Sequence, residues 1–279
     1  MSGSTVSNSQ FEPVGPVRLH VENGKGTVEV TARDTTEATV DIVGADADDV
    51  RVELDGEELL VIAPQQRGGF FGGDRRLDIT ITVPTRSELT CKLGSADLTC
   101  HGTLGPASVR TGSGDLTIEH LAGPALIESG SGEIGIQHAE EPLRVKSGSG
   151  DVTVRHAGAE LSVSTGSGEV EIGECHGNAS VKTGSGDLRV AHAHTNVSLS
   201  TGSGDLVIDR VTAGRVQLKG ASGDLRVGIP AGIPIWTDIT TVSGRVHSDL
   251  EGAGQPEPGA DYVEVRAKTV SGDVELRQL

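Results

Sequence analysis

The sequence predicts an all-β chain, a parallel β-helix (β-solenoid) with 18-residue coils. Three observations predict it. A Gly-Ser-Gly-acid turn returns at a fixed interval, and apolar and polar residues alternate around each turn. The composition is also rich in glycine and poor in aromatics.

The turn comes first. It reads Thr111-Gly-Ser-Gly-Asp115, Ser129-Gly-Ser-Gly-Glu133, Ser147-Gly-Ser-Gly-Asp151, Thr165-Gly-Ser-Gly-Glu169, Thr183-Gly-Ser-Gly-Asp187 and Thr201-Gly-Ser-Gly-Asp205, with the same interval at every step. A degenerate copy, Gly94-Ser95-Ala96-Asp97, sits one period earlier. Looser copies follow at Ala221-Ser-Gly-Asp224, Val242-Ser-Gly-Arg245 and Val270-Ser-Gly-Asp273, with the spacing progressively stretched. Glycine at these corners is expected to supply positive backbone angles.

The alternation comes second. Val109, Ile127, Val145, Val163, Val181 and Leu199 share one position before the turn. Leu116, Ile134, Val152, Val170, Leu188 and Leu206 share the position after it, and Ile118, Ile136, Val154, Ile172, Val190 and Ile208 lie two positions further along. Stacked coils require such columns, because each side chain packs on its counterpart above and below. The composition agrees. Glycine occurs 40 times, against 3 Phe, 1 Tyr and 1 Trp, so the core must be thin and filled by aliphatics.

The flanks read as less regular coils. Residues 17–62 alternate strongly, Asn23-Gly-Lys-Gly26 resembles another turn, and residues 77–83 form a strand. The expected organisation is a disordered tail over 1–16 and one solenoid domain over 17–279. Within it, 17–92 are irregular N-terminal coils, 93–211 the regular repeats, and 212–279 looser C-terminal coils and a cap. The Gly- and Pro-rich segment 251–261 reads as a surface loop.

The net charge of −17, from 40 acidic and 23 basic residues, disfavours nucleic acid and anionic membrane surfaces as partners. The opening MSGSTVSNSQFEPVGP has neither a basic n-region nor an apolar h-region, so the expected location is the cytoplasm. The 3 cysteines are odd in number, which argues against a disulfide framework. Cys91, Cys100 and Cys175 each replace an aliphatic in an inward column and read as structural thiols.

The opening Val-Glu-Asn-Gly-Lys-Gly-Thr-Val-Glu-Val, the serial Gly-Ser-Gly-Asp-Leu turns and the closing Thr-Val-Ser-Gly-Asp-Val-Glu-Leu carry a resemblance. Over roughly residues 17 to 279 the chain resembles a bacterial family of unknown function, provisionally named adhesins and built of such β-strand repeats. The resemblance implies the right hand of the β-helix and no defined activity.

Several ladders could carry chemistry. Asp97, Asp115, Glu133, Asp151, Glu169, Asp187, Asp205 and Asp224 form an acid ladder. Stacked carboxylates could bind Ca²⁺, but the repeat departs from the Gly-Gly-x-Gly-x-Asp pattern of calcium β-rolls. The better expectation is solvated carboxylates that accept turn amides. His120, His138, His156 and His192 share one column with Glu174 and Arg210, and His176 and His194 fall in another. A ladder presents imidazoles in parallel rather than converging on one ion, so exposed corner histidines are expected.

Ser113, Ser131, Ser149, Ser167, Ser185 and Ser203 have no recurrent His and Asp beside them, which leaves catalysis unsupported. The column Thr111, Ser129, Ser147, Thr165, Thr183 and Thr201 points inward by parity with Val109. Arg110, Glu128 and Lys146 alternate in charge outside and support a parallel register. Phe70 and Phe71, between glycines, either fold over an open solenoid end or present an apolar contact to a partner. The expected function is therefore a non-catalytic scaffold or protein-interaction module, with an unknown protein or a second copy as partner. No enzyme activity, cofactor or metal is expected. The alternative is a cation- or ligand-binding protein that uses the acid or histidine ladder.

Overall fold

A computed structural model describes residues 5–64, 76–251 and 262–279 of the chain. The described residues are all-β apart from one 3₁₀ turn at Ala47–Asp49, and they form a parallel β-helix. No helix among them is long and apolar enough to cross a membrane. The chain divides into two compact units, Met1–Glu141 and Pro142–Leu279, where the sequence reading has one domain over 17–279.

Unit 1 contains β1 (Thr5–Phe11), β2 (Arg18–Arg33), β3 (Ala38–Gly44), β4 (Arg51–Asp55) and β5 (Glu58–Ile62). It continues through β6 (Leu77–Pro84), β7 (Glu88–Leu104), β8 (Ala107–Thr111), β9 (Leu116–Leu121), β10 (Ala125–Ser129) and β11 (Ile134–Ala139). The long strands β2 and β7 stack in parallel along most of their length, Arg18 on Glu88 and Val30 on Cys100. Asn23-Gly-Lys-Gly26, expected as a turn, lies within the continuous strand β2 and stacks on Leu93 to Ala96 of β7. Beyond it one ladder runs β7–β8–β10 and the other β7–β9–β11.

The other side of unit 1 is closed by antiparallel strands. β4 pairs with β5, β3 with β6, and β1 with β3. The expectation of a disordered tail over 1–16 is thus corrected at residues 5–11. Their backbone completes a ladder although the side chains, Thr-Val-Ser-Asn-Ser-Gln-Phe, carry little apolar signal. Among the described residues β4 pairs with β5 alone, and it alternates Arg51, Glu53 and Asp55 outward, the charged edge that discourages strand addition.

Unit 2 contains β12 (Leu143–Ser147), β13 (Val152–Ala157), β14 (Leu161–Thr165), β15 (Val170–Cys175), β16 (Ala179–Ser185), β17 (Leu188–Ala193), β18 (Val197–Ser203) and β19 (Leu206–Val211). Then come β20 (Gly214–Lys219), β21 (Leu225–Ile229), β22 (Ile235–Thr241), β23 (Val246–Ser248), β24 (Val263–Thr269) and β25 (Val274–Gln278). Even-numbered strands stack as one parallel ladder and odd-numbered ones as the other. The offset is one period through β19, as with Val163 on Val181 and Ile172 on Val190. The inward columns of both ladders are buried and form the thin aliphatic core. Thr165, Thr183 and Thr201 are buried as expected, 6%, 8% and 6% exposed, and their hydroxyls bond the Gly-Ser-Gly turn that follows.

The turn glycines have a reason other than the one expected. Positive φ occurs only at some of them, such as Gly204 at 138°. Close stacking is the common requirement: a Cβ on Gly112 would lie 2.6 Å from the carbonyl oxygen of Gly94, and one on Gly132 would lie 2.0 Å from that of Gly114. Only a residue without a side chain lets corner sit on corner.

The last coils stack out of chain order. β20 pairs with β24 and β21 with β25, and β22 and β23 then pair on the far side of β24 and β25. Residues 263–278 therefore slot between 214–229 and 235–248. Ser222 bridges to Ser271, and a Cβ on Gly244 would lie 1.8 Å from the Gly272 oxygen.

Candidate functional site

The acid ladder closes turns. Asp97, Asp115, Asp151, Asp187 and Asp205 each accept, through Oδ1, the amide of the acidic residue one coil on, at 2.8–2.9 Å. Asp224 accepts from Asp273 N at 2.9 Å, and Asp273 from Arg245 N at 2.8 Å. Every acceptor in this series is an aspartate, so the two acids are not equivalent here: aspartate has the shorter reach that places an oxygen on the next amide.

The histidine column turns outward, as expected, because two consecutive residues face solvent before the strand turns back in; Arg155 and His156 in β13 show this. His120 bonds Glu140 at 2.8 Å and its ring lies 5.8 Å from that of His138.

One corner of unit 2 gathers both columns. Glu174 precedes Cys175, the inward last residue of β15, and His176 follows it, so Glu174 and His176 flank a buried thiol and both face solvent. His194 lies one period beyond His176, and the rings stack at 4.3 Å with 12° between planes. This is near the ~4.8 Å separation of neighbouring strands. Glu174 Oε1 lies 2.8 Å from His194 Nε2 and 3.5 Å from His176 Nε2. Its Oε2 lies 3.3 Å from His156 Nδ1 on the preceding coil. The hydrogen bond from His194, with weaker attraction to His176 and His156, holds the Glu174 carboxyl below the usual carboxylate range. Glu174, His176 and His194 can each offer a ligand atom, all within 4.8 Å of one another.

The sequence reading separated these residues, because columns were treated as independent lines. The signal that finds them is the i, i+2, i+20 spacing. In an 18-residue coil it places a residue, its same-side neighbour and that neighbour's stacked counterpart together.

The outer coil of unit 2 is the second feature. Ile235, Thr237 and Ile239 sit over Val263, Val265 and Ala267, each of which is fully buried. They are themselves only partly covered, and Val246, over buried Val274, is 51% exposed. Among the described residues nothing pairs with the other edge of β22 or β23. Val242 and Val270 stand exposed beside them, and Trp236 packs outside on Arg266, 5.4 Å from its guanidinium.

Phe70 and Phe71 lie outside the described residues, as does 252–261 of the expected loop. Cys91, Cys100 and Cys175 are buried and unpaired. Burial pushes the Cys100 thiol to about 12 and that of Cys175 to about 11, and it raises Cys91 well above its ordinary value with Cys100 adding to the effect. Such thiols are inert as nucleophiles.

The family described as Toastrack DUF4097 matches residues 17–277. The chain belongs to this family. No curated protein matches it. Among solved structures, the Toastrack chain is similar to a protein of Parabacteroides distasonis provisionally named lipid-binding, with 14% identity, 98% of this chain and 96% of that chain covered, and a TM-score of 0.44. It is similar also to a provisionally named adhesin of Bacteroides fragilis, with 13% identity, 99% of each chain and a TM-score of 0.36. A provisionally named cell adhesion protein of Clostridium sporogenes gives 11%, 99% and 100%, and 0.24. Likeness at this level says nothing about what the Toastrack chain binds.

Proposed function

We propose that this Toastrack chain is a non-catalytic protein-interaction module that docks through the outer coil of unit 2. The observation that carries the reading is the incompletely covered inward column Ile235, Thr237, Ile239 and Val246, lying directly above a column that is fully buried. Among the described residues this end leaves both apolar surface and a row of backbone donors and acceptors unpaired, and both are relieved by an added strand.

The partner proposed is a second copy of the chain. Two such ends present the same open ladder and the same half-covered column, so each supplies what the other lacks. Static light scattering over a wide concentration range tests this. The wild type is expected to pass from monomer to dimer. Val242→Asp with Val246→Asp, at positions 77% and 51% exposed, is expected to remain monomeric with an unchanged melting temperature. A wild type that stays monomeric throughout contradicts self-association. A dimer that survives both substitutions contradicts the outer coil as its interface.

A further inference from the structure

We infer that Glu174, His176 and His194 form a binding site for one transition-metal dication, Zn²⁺ being the chemistry they fit best. The site is independent of the outer coil and of its proposed role in docking.

The donor set argues first. Two imidazoles and one carboxylate favour zinc and its late first-row neighbours, whereas calcium and magnesium call for oxygen cages. Geometry argues second. Zinc holds nitrogen and carboxylate oxygen at about 2.0–2.2 Å, so tetrahedral neighbours stand roughly 3.4 Å apart. Glu174 Oε1 to His176 Nε2 already measures 3.5 Å. Glu174 Oε1 to His194 Nε2, at 2.8 Å, must open by roughly half an ångström to admit the ion. The stacked rings must splay so that both nitrogens face the ion. Their side chains are 54% and 39% exposed, so no core packing opposes that rotation.

The backbone argues third. His176 N donates to Ala157 O at 2.9 Å and His194 N to Cys175 O at 3.1 Å, so the coil-to-coil ladder fixes the roots of both ligands before any metal arrives. The ladder arrangement alone does not provide this. His120 and His138 stand 5.8 Å apart on a single column, whereas Glu174 joins two columns at one point. Three protein ligands leave a fourth position for water, and His156 Nδ1, 3.3 Å from the second oxygen of Glu174, steadies the carboxylate from behind.

Calorimetric titration of the full chain with Zn²⁺ tests the proposal, at about pH 7.5 in a buffer that does not chelate. One Zn²⁺ per chain is expected at micromolar affinity, with Ca²⁺ giving no heat. Glu174→Gln, His176→Ala and His194→Ala should each weaken binding by about tenfold or more, in keeping with the loss of a metal-supporting group. His138→Ala, on the other unit, should leave it unchanged. All four positions are at the surface, so an unchanged melting temperature certifies folding. Zinc binding that persists in a His176→Ala/His194→Ala double variant, or falls with His138→Ala, overturns the assignment, as does the absence of binding to the wild type.

Discussion

Gly132→Ala is expected to lower stability by about 3 kcal/mol or more, and Gly135→Ala, in the strand that follows the same turn, to raise it by about 0.5 kcal/mol. The two substitutions add the same methyl group. At Gly132 it would lie 2.0 Å from the carbonyl oxygen and 2.5 Å from the carbonyl carbon of Gly114, backbone atoms that cannot yield without separating two coils. At Gly135, inside β11, it meets only the Leu116 oxygen at 3.8 Å, an ordinary contact. There the gain comes from the unfolded chain, whose freedom alanine restricts. Chemical denaturation of both variants measures the difference. Equal effects would mean that the turn glycines serve flexibility rather than close stacking.

Ile136→Ala is expected to cost about 2–5 kcal/mol, because the side chain is fully buried and its removal leaves a cavity in a core too thin to close over it. Gln137→Ala, on the outer face of the same strand, should change stability by less than about 0.5 kcal/mol. The column adds a sharper requirement. Ile136 lies in register on Ile118, also fully buried, so the two share one packing contact. The double variant Ile118→Ala/Ile136→Ala should depart from the sum of the singles by about 0.5 kcal/mol or more. Strict additivity would contradict stacking of like on like.

The regular coils were legible because a fixed coil period and a side-chain period of two together assign both the neighbour and the facing direction of every residue. Thr165 and Thr183 could be placed inward on that basis, against their polarity, and the structure buries them. The acid turns were half legible: amide acceptance was foreseen, but treating Asp and Glu as interchangeable hid the fact that the coil-to-coil bond needs the shorter side chain.

The order of the last coils was hidden, because the Ser-Gly turn is the same in each and the stretched spacings suit a direct step or a detour equally. What decides is column polarity. Val265 and Leu276 face inward in the coil that ends up covered, whereas Thr237 and Ser248 hold the equivalent places in the outer one. In a column that is otherwise aliphatic, with no turn amide beside it to bond a hydroxyl, a polar residue is accommodated best where the column ends. The Glu174 corner escaped for a related reason: columns describe what stacks, and a convergent site needs two columns to be read across a turn.

Which coil is outermost decides which surface the protein offers, and oxidative cross-linking tests it most directly. Ser222, Ser243 and Ser271 are exposed turn residues, and the native thiols are buried. Neighbouring parallel strands lie about 4.8 Å apart, within the span of a disulfide, whereas two coils exceed it. The Ser222→Cys/Ser271→Cys variant is expected to cross-link readily on oxidation, and Ser222→Cys/Ser243→Cys is not. The reverse result would restore stacking in chain order, place residues 263–278 outermost and remove the surface on which the proposed function rests.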